Sequence, residues 1–549
     1  MALKKIKIEN FKIYSGVFEL ELNSGLNILV GVNEVGKSTI LEAIHLALTG
    51  IINGKYLNTE LTQYLFNNSV VRSYIDSLST PNPQKPPQIK IELYFDPVTE
   101  DNAIFLGNDN SDKDKDACGV SFTIAFDDKY NNEYNTLLNV GDVKTLPIEY
   151  YEVRLSTFGR KDITVKSIPI KPALIDSSST RYQNGSDIYI SRIVRQSLET
   201  VDAVKIAQAH RRMRESFMQD QSIQDINQKI QSGATITDKK IELSVELLSK
   251  NAWESSLMTY LDEVPFHYIG KGEQCIIKTR LTLSDKKTKN ASIILIEEPE
   301  NHLTYSRLNQ LLNIIKAECE DRQVVISTHS SFVANKLDIS NLICLTCSNK
   351  LKLTQVSEKT RVFFEKLPGY DTLRLVLSQK AILVEGASDE LVIQKAYMKS
   401  HNGKLPIEDG IDVISVGTAF LRFLEVADKL DKVVAVVTDN DGNITALKQK
   451  YSGFLGANKK DNILISYDKL DRTEGGLADY NYNTLENLIL VSNDLQKLNA
   501  IFEASYTSDD ELRKSMKSNK TDCALAIFNW SDDISFPQYI TEAINHVCQ

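Results

Sequence analysis

One segment near the N-terminus has the residue types and spacing of a phosphate-binding loop. Residues 31–38 read GVNEVGKS and fill every fixed position of the pattern G-x-x-x-x-G-K-[ST]. Glycines allow backbone N–H groups to surround phosphates, Lys37 would reach the β- and γ-phosphates, and the Ser38 hydroxyl would bind Mg²⁺. The pattern therefore predicts a nucleotide-binding site formed by Asn33, Gly36, Lys37, Ser38 and Thr39.

Acidic residues that could complete this site follow an apolar run far downstream. Residues 292–296 read SIILI and lead directly into Glu297 and Glu298. At the end of a buried strand, Glu297 can hold the magnesium shell while Glu298 polarises the attacking water. A second apolar run ends near His329, whose imidazole could contact the γ-phosphate, although a lone histidine is more often structural.

A second acidic constellation lies in the last third of the chain. Residues 380–384 (KAILV) lead into Glu385, and residues 433–437 (VVAVV) lead into Asp439 and Asp441. Apart from Lys380, both runs are apolar, as expected for parallel strands that are buried on both faces. Since the carboxyl ends of such strands share one edge of a sheet, we expect these acids to meet there.

Oxygen-only ligands of this kind select Mg²⁺ or Mn²⁺ rather than zinc. We assign Glu385, Asp439 and Asp441 as principal ligands. Asp389 and Glu390 are candidates for a second metal, with solvated surface acids as the alternative. Two metals could stabilise the attacking and leaving oxygens of a phosphodiester.

The elements that must position these residues alternate between strands and helices, so the sequence predicts an α/β protein. The 549 residues are enough for more than one domain, and the formal net charge of −10 means that any DNA contact must be local. Cys344 and Cys347 are expected to be buried free thiols rather than zinc ligands. No apolar stretch is long enough to span a membrane, so we expect a cytoplasmic protein.

The first constellation, together with the opening residues 6–11 (IKIENF), resembles the ABC-type ATPases of the SMC, RecF and OLD groups. The second resembles the Toprim domain of topoisomerases, primases and OLD (overcoming lysogenization defect) nucleases. The order of both along the chain resembles an OLD-family ATP-dependent endonuclease, similar to the nucleases of Gabija and retron anti-phage systems. This resemblance implies a role for Glu486 in the metal shell and for Lys520 beside the scissile phosphate.

The resemblance also implies a domain order. We predict an ABC-type ATPase in two parts, an inserted helical segment that makes dimer contacts, a connector and a C-terminal Toprim α/β domain. The boundaries are 1–187 and 263–356 for the ATPase, 188–262 for the insertion, 357–377 for the connector and 378–549 for Toprim. Residues 270–274 (GKGEQ) are the candidate signature segment, which departs from the usual Leu-Ser-Gly-Gly-Gln.

Two functions are consistent with this reading. The leading hypothesis is a nucleotide-regulated, metal-dependent DNA endonuclease of anti-phage defence, which uses ATP and Mg²⁺ or Mn²⁺ and acts as a homodimer or higher oligomer. Its partner would be a UvrD-like helicase or a retron reverse transcriptase with its msDNA. The alternative is a non-nucleolytic ATPase switch, like SMC or RecF repair ATPases, that binds a partner protein or DNA.

Overall fold

The computed structural model describes most of the chain, and its elements follow the predicted alternation of strands and helices. The described residues are 1–53, 55–96, 100–141, 143–176, 182–183, 186–187, 200–233, 243, 260–284, 291–318, 322–337, 339–346, 350–352, 355–366, 370–472, 477 and 480–549.

The strands are β1 (Ala2–Glu9), β2 (Val17–Glu21), β3 (Leu26–Val30), β4 (Ile51–Ile52), β5 (Lys55–Tyr56), β6 (Ile89–Asp96), β7 (Gly119–Phe126), β8 (Tyr151–Thr157), β9 (Pro172–Asp176), β10 (Tyr182–Gln183), β11 (Ser186–Asp187), β12 (Tyr260–Leu261), β13 (Val264–Pro265), β14 (Ile293–Glu297), β15 (Gln323–Thr328), β16 (Leu342–Leu345), β17 (Lys350–Lys352), β18 (Lys380–Val384), β19 (Ile411–Ser415), β20 (Val434–Val437) and β21 (Ile463–Ser466).

The α-helices are α1 (Lys37–Thr49), α2 (Leu57–Glu60), α3 (Asn68–Ser77), α4 (Asn131–Val140), α5 (Thr200–Gln219), α6 (Gln221–Gly233), α7 (Lys271–Ser284), α8 (Tyr305–Glu318), α9 (Ser331–Lys336), α10 (Glu358–Lys366), α11 (Tyr370–Leu377), α12 (Ala387–Ser400), α13 (Phe420–Lys429), α14 (Ile444–Lys450), α15 (Leu485–Ser492), α16 (Leu495–Ile501), α17 (Asp509–Ser518), α18 (Lys520–Asn529) and α19 (Gln538–Cys548). Among the described helices, none combines the length and the apolar character that crossing a membrane requires.

The chain divides into two compact units, and the first contains residues 1–27 and 38–327. Its antiparallel sheet has the strand order β2-β1-β6-β7-β8. In β1, the side chains of Leu3, Ile6 and Ile8 are fully buried. A register shift between Leu3 and Lys5 acts as a bulge and keeps all three side chains on the core side.

The same unit contains three parallel strands. β14 pairs with β15 on one side and with β9 on the other, and the register sets Glu297 opposite Asp176 and Ser327. The residues Ile293 to Ile296 are buried, which is what a strand covered on both faces requires. This arrangement carries the two predicted acids to the end of a buried strand.

The predicted helical insertion, 188–262, lies largely outside the described residues. Within it, the structure describes the helices α5 and α6, the residue Leu243 and the strand β12. The insertion's role in dimerisation stays a prediction.

The second unit contains residues 28–37 and 328–549. In it, β3 pairs in parallel with β16, and β16 pairs antiparallel with β17. Cys344 of β16 is buried as a free thiol, as expected, whereas Cys347 lies outside the described residues. The predicted connector contains the helices α10 and α11, which lead into the last sheet.

That last sheet has the order β19-β18-β20-β21, with every neighbouring pair parallel. The apolar residues of β18 and β20 are buried, and helices α12 and α15 to α19 contribute apolar residues to the same core. Because parallel strands end at one edge, β18 and β20 deliver the polar residues that follow them to the same side of the sheet.

Candidate active site

Two neighbouring strands of the last sheet end in the predicted carboxylates. Glu385 follows β18 and is exposed, and Gly386 then caps the helix α12 at its N-terminus. Asp389, in the first turn of that helix, accepts a hydrogen bond from the backbone N–H of Gly386 at 2.9 Å. Asp439 follows β20 after one intervening residue and is half-buried. The sheet edge therefore brings three of the predicted ligands into one neighbourhood.

The electrostatics show how strongly these groups influence one another. Burial raises the pKa of Asp439 to about 8, and the negative charges of Asp389, Glu385 and Glu486 add to the rise. Burial also raises the pKa of Asp389 to about 6, with further contributions from Glu385 and Glu486. Buried acids whose pKa values are raised by neighbouring charges are a common signature of functional sites.

Glu486 and Lys520 come from separate helices and meet at this edge. Glu486 is buried in the first turn of α15, and the Lys520 Nζ atom lies 2.7 Å from its Oε1 atom. Although burial opposes it, the hydrogen bond to Glu486 and the charges of Asp439 and Asp389 raise the pKa of Lys520. The Lys520 ammonium group therefore lies among the carboxylates, and its role beside a scissile phosphate stays a prediction.

Thr438 is a residue of this site that the sequence analysis missed. Its hydroxyl donates a hydrogen bond to Glu385 Oε1 at 2.8 Å, and its side chain is buried. A polar residue directly after the otherwise apolar strand β20 is the signal that could have identified it. The Thr438 hydroxyl therefore holds one carboxylate oxygen of Glu385 in place.

Two predicted ligands have different surroundings. Asp441 lies in an exposed turn with a positive φ of 51°, and the side-chain amide of Asn481 donates to its Oδ1 atom at 2.9 Å. Glu390 faces Arg374, with an Oε1 to guanidinium nitrogen distance of 3.8 Å, and Arg374 also pairs with Asp412 at 2.6 Å. Because Glu390 is directed toward a structural ion pair, we leave it out of the proposed ligand set.

The donor chemistry of the site fits a hard divalent cation. Its charged donors are carboxylate oxygens, which Mg²⁺ and Mn²⁺ prefer. Within the part of the chain that the structure describes, no three acidic, histidine or cysteine side chains converge closely enough to hold one metal ion. Mutual repulsion keeps like charges apart, and a bound cation would favour their approach.

The phosphate loop folds as its pattern predicts, between the strand β3 and the helix α1. The Lys37 Nζ atom donates to the carbonyl oxygens of Gly31 and Val32, each at 2.9 Å, and the side chain is buried. Asn33 is exposed at the tip of the loop, while Ser38 and Thr39 lie in the first turn of the helix.

The remaining predicted nucleotide-site residues also follow strands. Glu297 is the last residue of β14. Glu298 has a positive φ of 39°, and its Oε2 atom accepts a hydrogen bond from the Asn301 side chain at 3.0 Å. His329 follows β15 and is exposed.

The candidate signature segment begins the helix α7. Gln274 is buried, and its side-chain amide donates to the carbonyl oxygens of Phe266 and Ile269 at 3.0 and 2.8 Å. A Cβ atom added to Gly272 would lie 2.5 Å from the carbonyl oxygen of His302. This glycine is therefore required for close backbone packing.

Two protein-family models match the chain. The model described as AAA ATPase domain matches residues 1–334. The chain belongs to the AAA ATPase domain family. A second model, described as overcoming lysogenization defect protein-like, TOPRIM domain, matches residues 376–441. The predicted OLD-family membership and the predicted fold class, an ATPase followed by a Toprim α/β domain, are thereby confirmed. Together these are the domains of a hydrolytic endonuclease that carries an ATPase domain.

Individual proteins also resemble the chain. The endonuclease GajA of Bacillus cereus (strain VD045) is 23% identical over 498 residues, which are 84% of this chain and 79% of that protein. The DNA double-strand break repair Rad50 ATPase of Methanopyrus kandleri is 50% identical over 46 residues, only 8% of this chain and 5% of that protein. The SMC head domain from Thermotoga maritima, at 13% identity, covers 62% of this chain and 94% of its own with a TM-score of 0.28, which is too low to argue from.

Proposed function

We propose that this OLD-family chain is a nucleotide-regulated, Mg²⁺-dependent endonuclease that cleaves DNA. The observation that carries the proposal is the group of Glu385, Asp389, Asp439 and Glu486 around Lys520, at the carboxyl ends of parallel strands. Burial and neighbouring negative charges raise the pKa of Asp439 and of Asp389, so a cation bound beside them would be favourable, and a nearby ammonium group suits an anionic substrate.

The carboxylates would share the work of holding the metal. Mg²⁺, when bound, supplies positive charge that stabilises the phosphodiester during hydrolysis. Glu385 and Asp439 would be its principal ligands, with Asp389 and Glu486 completing the acidic set. Asp441, in its exposed turn, remains a candidate ligand from the outer side of the site.

Lys520 would act on the substrate, whereas Thr438 would act on the metal ligand Glu385. The Lys520 ammonium group lies 2.7 Å from Glu486, so a phosphate that reaches this acidic edge meets a positive charge there. Negative charge that develops on the phosphate would be stabilised by that ammonium group. The Thr438 hydroxyl would keep Glu385 in one orientation throughout.

A plasmid-nicking assay with Mg²⁺ tests the proposal. We expect Glu385→Ala and Asp439→Ala to lose at least about a hundredfold in nicking rate, because each removes a ligand. Asp461→Ala, an exposed acid of the same domain, is the matched control and should cut like the wild type. Undiminished nicking by Glu385→Ala or Asp439→Ala would refute the assignment.

The ATPase part would regulate this activity by binding ATP at the loop of residues 31–38. This proposal is supported by the match of residues 1–334 to the AAA ATPase domain and by the buried Lys37 in the loop. Glu297, Glu298 and His329 are the proposed residues for the magnesium shell, the attacking water and the γ-phosphate. ATP binding with no cleavage of any DNA, in Mg²⁺ or Mn²⁺, would instead favour the ATPase-switch alternative.

We also propose that the protein is an effector of anti-phage defence and acts as a homodimer or higher oligomer with a system partner. The support is the similarity to the endonuclease GajA and the OLD-like Toprim match. Phage plating on cells that express the chain and its neighbouring genes measures the role. Protection that survives Glu385→Ala would exclude the nuclease as the effector.

A further inference from the structure

Two aromatic rings and two basic side chains form a row beside the carboxylate cluster. The rings of Tyr480 and Tyr482 are 4.9 Å apart at an interplanar angle of 66°. The Lys517 Nζ atom lies 5.6 Å from the Tyr480 ring centre, and the Arg513 guanidinium lies 5.4 Å from that of Tyr482. We call these four residues the aromatic-basic row.

The helix α17 explains why the basic residues line up. Arg513 and Lys517 are four positions apart and therefore share one face of the helix. Its first turn is acidic, and the Arg513 guanidinium pairs with Asp510 at 2.9 Å. Lys517 is exposed, and no carboxylate of the described residues lies within ion-pair distance of it. Its charge is therefore free to meet an anion.

Hydrogen bonds connect the row to the proposed catalytic edge. The Arg513 Nε atom donates to the side-chain oxygen of Asn487 at 2.8 Å. The Asn487 amide in turn donates to the carbonyl oxygen of Tyr482 at 2.6 Å. Asn487 directly follows Glu486, which pairs with Lys520. The row is thus held in place beside the carboxylates.

The four residues of the aromatic-basic row differ in solvent exposure, which separates those that support the row from those that can contact a ligand. Tyr482 is buried, and its hydroxyl accepts a hydrogen bond from the backbone N–H of Leu477 at 2.8 Å. Tyr480 is half-buried and Lys517 is exposed. Tyr482 and Arg513 therefore hold the row, while the Tyr480 ring and the Lys517 ammonium group remain available to a ligand.

An accessible ring beside a cation is the combination that proteins use to hold single-stranded nucleic acid. Bases stack on the ring regardless of sequence, and the cation meets the backbone phosphate. In a chain with a formal net charge of −10, such a contact must be local. In an intact duplex the bases are stacked on one another, so only an unpaired base can reach the ring.

We propose that Tyr480 and Lys517 hold an unpaired stretch of the DNA substrate beside the carboxylate cluster, with a base on the Tyr480 ring and a phosphate at Lys517. The inference rests on the proposed nuclease function and names the substrate form that the site takes. The protein would accordingly prefer single strands, flaps or locally opened duplexes over intact duplex DNA.

Fluorescence anisotropy of the full chain with a labelled single-stranded DNA, in Ca²⁺ to limit cleavage, tests this. We expect Tyr480→Leu to weaken binding roughly tenfold and Tyr480→Phe, which keeps the ring, to bind like the wild type. Lys517→Gln should weaken binding and lower the slope of log affinity against log salt by about 0.7. Lys459→Gln, an exposed lysine that precedes β21 and so lies toward the opposite edge of the sheet, is the charge-matched control.

Wild-type affinity in both Tyr480→Leu and Lys517→Gln would overturn the inference. An equal loss of affinity for intact duplex would also overturn it, as would tighter binding of RNA of the same sequence. Failure of the nuclease proposal would give a different result. If the row variants lose DNA binding while the wild type never cuts, the row stands and the nuclease does not. If the wild type cuts and the row variants bind and cut equally well, only the row fails.

Discussion

At the scale of single residues, the hydroxyl that orients Glu385 is the least obvious part of the proposed metal site. Thr438 donates to Glu385 Oε1 at 2.8 Å from a buried position. Thr438→Val keeps the shape of the side chain and removes the donor, so Glu385 should lose its fixed orientation. We expect the Mg²⁺ concentration for half-maximal nicking to rise roughly tenfold, as it does when a residue that orients a ligand is lost.

Thr438→Ser keeps the hydroxyl and is the rescue control. It should restore the wild-type Mg²⁺ requirement, although it lacks the methyl group. A merely structural role would change stability without moving the metal requirement. An unchanged half-maximal Mg²⁺ concentration in Thr438→Val would therefore remove the positioning role.

The sequence predicts some residues of the site better than others. Glu385 and Asp439 come at the ends of mainly apolar runs, so their place at one sheet edge is predicted from the strand pattern. The orientation of Glu390 toward Arg374 could not be predicted, because it depends on where the separate helix α11 lies. Side-chain partners that come from distant elements leave no local signal.

At the scale of elements, the two glycines of the candidate signature segment, at the start of the helix α7, have different surroundings. A Cβ atom at Gly272 would lie 2.5 Å from the His302 carbonyl oxygen, while one at Gly270 would meet nothing within 4 Å. Gly272→Ala should therefore destabilise the protein by about 1–3 kcal/mol. Gly270→Ala is the matched control and should change stability little, because lower unfolded-chain entropy offsets the poorer helix cap.

The midpoint of thermal unfolding, measured for both variants and the wild type, checks the comparison. We expect the midpoint of Gly272→Ala to fall by several degrees and that of Gly270→Ala to stay near the wild type. Equal midpoints for the two variants would show that the close approach to His302 does not limit packing.

The junction between the helix α11 and the strand β20 contains a buried lysine. Lys432 is 6% exposed, and its ammonium group donates to the carbonyl oxygens of Val376, at 2.8 Å, and Ser378. Burial lowers the pKa of Lys432 from 10.5 to about 8, an effect that the nearby Cys344 partly opposes. The folded protein therefore releases this proton at lower pH than the unfolded chain.

This depressed pKa fixes the sign of a pH effect. Between about pH 8 and pH 10.5 the unfolded chain binds more protons at Lys432, so rising pH stabilises the folded state. The free energy of unfolding of the wild type should gain up to roughly 3 kcal/mol relative to Lys432→Met across this interval. Urea unfolding at pH 7.5 and pH 10 measures the gain, with the exposed Lys429→Met as control. If the difference in the free energy of unfolding between the wild type and Lys432→Met is the same at both pH values, the pKa of Lys432 is not lowered in the folded protein.

Strand pairing shows where prediction of the fold from sequence ends. The alternation of apolar and polar residues in 89–95 and 120–126 is typical of antiparallel strands, and β6 and β7 pair in this way, with Leu93 opposite Val120. The strand β9 was not predicted, although it pairs in parallel with β14. It begins at Pro172 and is short, so only its distant partner stabilises it as a strand.

At the scale of the whole molecule, one chain contains a nucleotide-binding loop and a proposed nuclease edge. The family matches cover both, at residues 1–334 and 376–441. Since the connector helices α10 and α11 join the two matched regions covalently, nucleotide binding would have a route through the backbone to the proposed nuclease edge. We expect the rate of nicking to depend on ATP concentration in the wild type.

Lys37→Ala tests this coupling, because it removes the ammonium group that would reach the β- and γ-phosphates. The variant should bind a labelled ATP analogue at least about tenfold more weakly, and its nicking rate should no longer vary with ATP. Glu385→Ala is the reciprocal control, since it should bind the analogue normally and cut no DNA at any ATP concentration. If wild type and Lys37→Ala give identical nicking curves while only the wild type binds the analogue, ATP binding and cleavage are independent. The two domains would then share a chain without sharing regulation.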